Sequence, residues 1–74
     1  MIDKNALLNI LGRIRDRKRE EHRLPDYALT IDITRLYPSL SRERIQAMAK
    51  ELEAEGHIKT GLTLNSEYYQ IIEQ

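Results

Sequence analysis

The sequence predicts a small α+β fold, mainly α, with three helices followed by a C-terminal β-hairpin. Three observations carry this. Apolar residues recur at helical period twice, as Leu7, Ile10, Leu11, Ile14 and as Ile45, Met48, Ala49, Leu52. Gly56 follows the second run and marks a helix stop. Beyond it the period changes to two: Ile58, Thr60, Leu62 and Leu64 alternate with Lys59, Gly61 and Thr63, which is strand spacing.

Composition narrows the possibilities. A chain of 74 residues makes one domain over 1–74 with a thin stability margin. It has no Cys, so no disulfide or thiolate–metal staple is available. The core must come from nine Ile and ten Leu, since Val, Phe and Trp are absent and four Tyr are the only aromatics. No apolar run approaches the roughly 20 residues of a membrane span, and Asp3 and interspersed polar residues argue against a signal peptide. The expectation is a cytoplasmic protein with no membrane contact. Net charge is zero but unevenly spread: residues 1–23 net +3, residues 24–40 net −1 and residues 41–74 net −2.

Taken in order, Asp3 caps a first helix over about 3–18, with Leu8 widening its apolar face. Gly12 inside it costs about 1 kcal/mol against Ala and suggests a close helix approach. From Arg13 to Arg23 the chain is almost entirely charged. This run reads either as a phosphate-contacting field or as a solvated helix face with Asp16–Arg19 and Arg17–Glu21 pairs, and its carboxylates favour the second. Pro25 breaks the helical path, and residues 27–29 suit a short strand. Thr30 or Asp32 caps a helix over about 31–37, which Pro38 ends. Pro38-Ser39-Leu40 is a tight connector with Leu40 pointing inward. Ser41 caps a third helix over about 41–55, its hydroxyl accepting from the first-turn amides. The hairpin spans about 57–72, with turn chemistry at Asn65-Ser66-Glu67. Its second run, Tyr68-Tyr69-Gln70-Ile71-Ile72, is rich in aromatic and β-branched residues. Strand therefore outweighs the alternative of a short helix capped by Asn65.

This order of parts resembles the winged helix-turn-helix domain, and the likeness is densest in SRERIQAMAKELEAEGHIKT. A Ser-capped helix leaving through Leu52, Gly56 and Ile58 is similar to bacterial transcription regulators of that class. The resemblance implies that helix 41–55 is the recognition helix, helix 31–37 its partner, and hairpin 57–72 the wing. It implies a small transcription regulator or accessory factor that reads the major groove of double-stranded DNA. On that basis the candidate DNA-binding residues are Ser41, Arg42, Arg44, Gln46, Lys50, Lys59, Arg17 and Arg19. Gln46 suits adenine, and Arg42 or Arg44 suits guanine or phosphate.

Two features point elsewhere. Lys59 is the one cation after Gly56, and carboxylates outnumber cations in residues 41–74. They favour a second class of function, the same fold used for protein–protein interaction without DNA contact. A third reading stacks single-stranded bases on Tyr68 or Tyr69. One Tyr of such a pair more commonly enters the core while its neighbour points out. Self-association is also expected, with Met1-Ile2 and Ile71-Ile72 as the apolar seam. His22 and His57 lie 35 residues apart without metal-ligand spacing. The serines occupy cap and turn positions, and no Gly-rich phosphate loop or paired-carboxylate cleft is present. Neither an enzyme nor a metal, cofactor or small-molecule ligand is expected.

Overall fold

Local capping chemistry sets the helix boundaries. In the computed structural model, which describes residues 2–64 and 66–73, Asp3 accepts a hydrogen bond from the Ala6 amide and opens α1 (Lys4–Glu20). This helix runs two residues past its expected end. It closes with His22 in the left-handed region (φ +56°), the Arg23 amide bonded to the Lys18 carbonyl and the His22 amide to that of Arg19. That six-to-one and five-to-two pattern is the Schellman closure usually built on Gly. A two-residue strand, β1 (Ala28–Leu29), leads directly into α2 (Thr30–Leu36). The N-cap of α2 is therefore Leu29, not Thr30 or Asp32. Asp32 instead reaches back from the first turn and accepts from the Leu29 amide at 2.9 Å. Thr30, already helical, turns its hydroxyl to the Tyr69 phenol at 3.0 Å.

Ser41 caps α3 (Arg42–Ala54), its Oγ accepting from the Arg44 amide at 3.2 Å. Gly56 ends the helix at φ +81°, where a Cβ would be strained. The chain then forms β2 (Ile58–Leu62) and β3 (Glu67–Ile71). The sheet is antiparallel in the order β1-β3-β2, with Ile58 opposite Ile71, Thr60 opposite Tyr69 and Ala28 also opposite Tyr69. Among the described residues this is the winged helix-turn-helix topology: three helices, a short strand after the first, and a C-terminal hairpin wing. Residues 67–71 are strand, so the C-terminal helix is ruled out there, while its proposed cap, Asn65, lies outside the described residues. Glu67 belongs to the strand and not to the turn.

The core is one cluster. Leu7, Ile10, Leu11 and Ile14 of α1 meet Ala28, Ile33, Leu40, the Ile45–Ala49–Leu52 stripe, Ile58 and Tyr69. Leu40 points inward and Met48 packs partly against the cluster, as their spacing predicts. The tyrosine pair splits as expected: Tyr69 is buried, while Tyr68 stacks on Tyr27 with centroids 4.5 Å apart. The Tyr68 ring also lies across Gly61, where any Cβ would come within 2.5 Å of it. Gly12 has no such role, since a Cβ there would meet Ile71 at an ordinary 3.6 Å.

The alternating run is strand only as far as Leu62; Leu62 and Leu64 are 84% and 98% exposed, and Leu64 lies past the end of β2. Part of the apolar surface expected at the termini is taken up within the chain. Ile2 and Ile71 pack on the chain's own core, Ile72 is exposed, and Met1 lies outside the described residues. Finally, the charged run is not uniformly solvated. Lys18 is buried, its Nζ donating to Asp32 Oδ2 at 2.8 Å and to the Tyr27 carbonyl at 2.9 Å. Arg17 does pair with Glu21, at 3.6 Å, but Asp16 pairs with Arg15 and not with Arg19.

Lys18→Met leaves the carboxylate of Asp32 without its counter-ion and the Tyr27 carbonyl without its donor. It should lower unfolding free energy by about 2–3 kcal/mol, read by urea denaturation. The Tyr69 phenol is pushed above its ordinary value, chiefly by burial, against the opposing hydrogen bond from Thr30. Folding thus favours the neutral phenol. That contribution is complete below the ordinary phenol value of about 10 and is lost as pH rises through the higher folded value. Stability measured from pH 8 upward should therefore begin to fall above about pH 10, and Tyr69→Phe should remove that component of the fall.

Candidate nucleic-acid interface

The helix-turn-helix exposes one face of α3. Ile45, Ala49 and Leu52 point inward, so at about 100° per residue the opposite face carries Glu43, Ala47, Lys50 and Ala54. All four are exposed. Small Ala47 and Ala54 leave this row flat, and Lys50 stands on it with no carboxylate in ion-pair range among the described residues. The Ser41 hydroxyl is occupied by its capping bond. Arg42 and Arg44 leave opposite flanks of the helix. Arg44 Nη2 lies 3.5 Å from the Ile2 carbonyl, beside α1. Arg42 lies on the flank that faces the wing.

Gln46 is placed differently from a free base-reading amide. It is half-buried, and its Nε2 donates to Glu67 Oε2 at 3.3 Å. Two helical turns later, Glu53 accepts from both the Thr60 amide (3.0 Å) and the Thr60 hydroxyl (2.9 Å). These two contacts fasten the wing to α3. The second also occupies a backbone donor on β2, an edge strand that would otherwise be open to pairing with another chain.

At its far end the wing closes on itself. The Thr63 amide and hydroxyl both donate to the Ser66 carbonyl at 2.7 Å, and the Ser66 amide donates to Thr63 Oγ1 at 3.1 Å. Between this tip and the helix-turn-helix runs an open groove of about 600 Å³, lined by Leu29, Thr30, Ile31, Thr34, Arg42, Thr63 and Ser66. Arg42 has no carboxylate within ion-pair distance among the described residues.

The remaining candidate residues lie elsewhere. Lys59 sits near the base of the wing, in a cleft of about 260 Å³ with Arg15, Arg19, Asp26, Tyr27 and Glu73. Arg19 is engaged there by Asp26 at 2.6 Å and Glu73 at 2.7 Å, and these hydrogen bonds hold its guanidinium even further above its ordinary value. Arg15 also meets Glu73, at 3.1 Å. Arg17 pairs with Glu21 and borders a hollow that includes Arg35 of α2. The structure thus carries Arg42, Arg44 and Lys50 on α3 with Ser41 at its cap, sets Arg42 alone beside the wing tip, and leaves Arg17, Arg19 and Lys59 apart from them. Thr34 is a groove residue that sequence reasoning passed over. Its lone hydroxyl carries no signal until α2 is placed beside α3.

Lys4 and Glu55 tie the first turn of α1 to the end of α3 by a direct hydrogen bond, which lowers the carboxyl's pKa and raises the ammonium's. No cluster of three His, Cys, Asp or Glu side chains able to hold a metal occurs among the described residues. No described helix is long and apolar enough to cross a membrane. No family model, curated protein or solved structure matches the chain.

Glu53→Ala tests how the wing is held. It frees the Thr60 amide and should cost about 1 kcal/mol. Amide exchange at Thr60 should accelerate, while the Gly56 closure stays protected.

Proposed function

We propose that residues 1–74 act as one winged-helix domain that binds duplex DNA, as a small transcription regulator or accessory factor in a cytoplasmic setting. The observation that carries this reading is the uncovered outward row of α3. It is a flat helix face bearing unpaired Lys50, with unpaired Arg42 on the adjoining flank and a wing alongside. An α-helix fits the major groove, and the first turns of a recognition helix meet base edges. Small Ala47 permits close approach. Lys50 and Arg42 supply phosphate or guanine contacts, Arg44 extends the contact along the other flank, and Ser41 orients the helix start. Gln46 reads a base only by releasing Glu67. Arg17, Arg19 and Lys59 contribute through the long-range field, since Arg17 and Arg19 are paired and all three lie off the α3 face.

A second reading, a protein–protein interaction module, is favoured by the exposure of Leu62 and Leu64 and by the acidic balance of residues 41–74. In either case a single copy offers few contacts, and a homodimer would double them.

Backbone amide shifts during titration with mixed-sequence duplex at low salt separate the two readings. Saturable shifts confined to residues 41–50 and the wing tip are expected, with Lys50→Glu weakening binding about tenfold or more. Only four cations lie in residues 41–74, so the salt dependence of log K should be no steeper than about −4. Unmoved amides at low salt would reject groove binding and leave the protein-partner reading.

A further inference from the structure

We infer that Glu43 is a specificity-determining residue that selects cytosine, and that with Lys50 it sets a cytosine and a guanine about three base pairs apart as the core of the recognised duplex. This inference rests on the DNA-binding reading and names what it recognises. Glu43 and Lys50 share the outward row of α3, with Ala47 between them. Both are exposed. Neither has an ion-pair partner among the described residues. At about 100° per residue, Arg42 and Arg44 leave the two flanks, toward the phosphate walls of a major groove. The row itself meets the groove floor, which carries base edges. A carboxylate in that place has no phosphate to neutralise. It contributes to binding only where a base presents a donor to it.

An ionised carboxylate only accepts hydrogen bonds, and an ammonium only donates them. In the major groove guanine shows the acceptors N7 and O6, and thymine shows O4 and a methyl group, so both disfavour Glu43. Adenine donates from N6 but sets the N7 acceptor beside it. Cytosine donates from N4 with no acceptor on the same edge, which matches a carboxylate. Lys50 has the converse match, to N7 and O6 of guanine. Seven residues separate the two side chains, a rise of about 10 Å along the helix. That distance covers about three base steps. Small Ala47 leaves the intervening step uncrowded. Repulsion at every wrong base makes Glu43 a selective device: it weakens binding to mixed sequence and widens the gap between right and wrong sites. A chain of zero net charge gains little from non-specific phosphate contact, so discrimination of this kind falls to the base-facing row. The same carboxylate also favours the positive end of the helix dipole from the first turn, a role that changes no base preference.

The test uses the full chain and a duplex library randomised over about one helical turn, bound at low salt and sequenced. Wild-type protein should enrich cytosine at one position and guanine about three base pairs away, each about fivefold or more over other bases. Glu43→Gln should change the first preference from a C·G to an A·T pair, since an amide matches N6 and N7 of adenine together, and should leave the guanine unchanged. Glu43→Ala should lose the first preference, and Lys50→Ala the guanine alone. Melting temperatures should stay close to wild type, because both positions are exposed. Wild-type binding with no enriched cytosine, or a cytosine preference that survives Glu43→Gln and Glu43→Ala, overturns the inference and leaves the DNA-binding reading standing. No wild-type binding to any duplex overturns both.

Discussion

The ammonium of Lys18 sits where three elements meet, and the helix-turn-helix is oriented from that point. Through Asp32 it holds the first turn of α2, and through the Tyr27 carbonyl it holds the residue before β1. Asp32 completes the junction by accepting from the Leu29 amide, the N-cap of α2. With no Cys and a core of aliphatic side chains, such a chain has many nearly equivalent ways to pack three short helices. A buried ion pair adds little net stability over an apolar pair of similar size. Its directional demands are nevertheless strict, and here they join the end of α1 to the start of α2 through two hydrogen bonds of one ammonium.

The orientation of α3 follows. Its inward stripe completes the core, Lys4–Glu55 ties its far end to α1, and Glu53 and Gln46 tie its flank to the wing. These links use the polar groups on the helix flanks and leave the outward row bare. The cost to a DNA reader is evident, because Gln46 and Arg19 are already engaged within the fold. What remains is a nearly neutral surface made of a flat helix face, an open groove beside Arg42 and an exposed apolar tip.

Much of the fold was legible because its signals are local. The Asp3 and Ser41 caps, the Gly56 stop, the two apolar stripes and the strand character of 67–71 each involve residues a few positions apart. The errors arose where a local signal was overridden by a distant one. The N-cap of α2 moved to Leu29 because β1 runs straight into the helix and Tyr69 claims the Thr30 hydroxyl. The alternating run reads as strand through Leu64, but pairing with β3 stops at Leu62 opposite Glu67. Of the candidate site, the choice of helix was readable, since spacing alone separates its inward from its outward residues. Which cations were free was not, because Asp26 and Glu73 reach Arg19 from 7 and 54 positions away in the chain.

By itself, then, the sequence determined the kind and order of the elements and which face of each helix turns inward. These follow from capping bonds and hydrophobic period, which act within one or two turns. Only the tertiary structure decided that Lys18 belongs to the interior, that Gln46 is held by Glu67, and that two leucines stand uncovered near the wing tip. Those outcomes depend on which groups distant in sequence come within hydrogen-bond reach, and on where one layer of the fold ends before another.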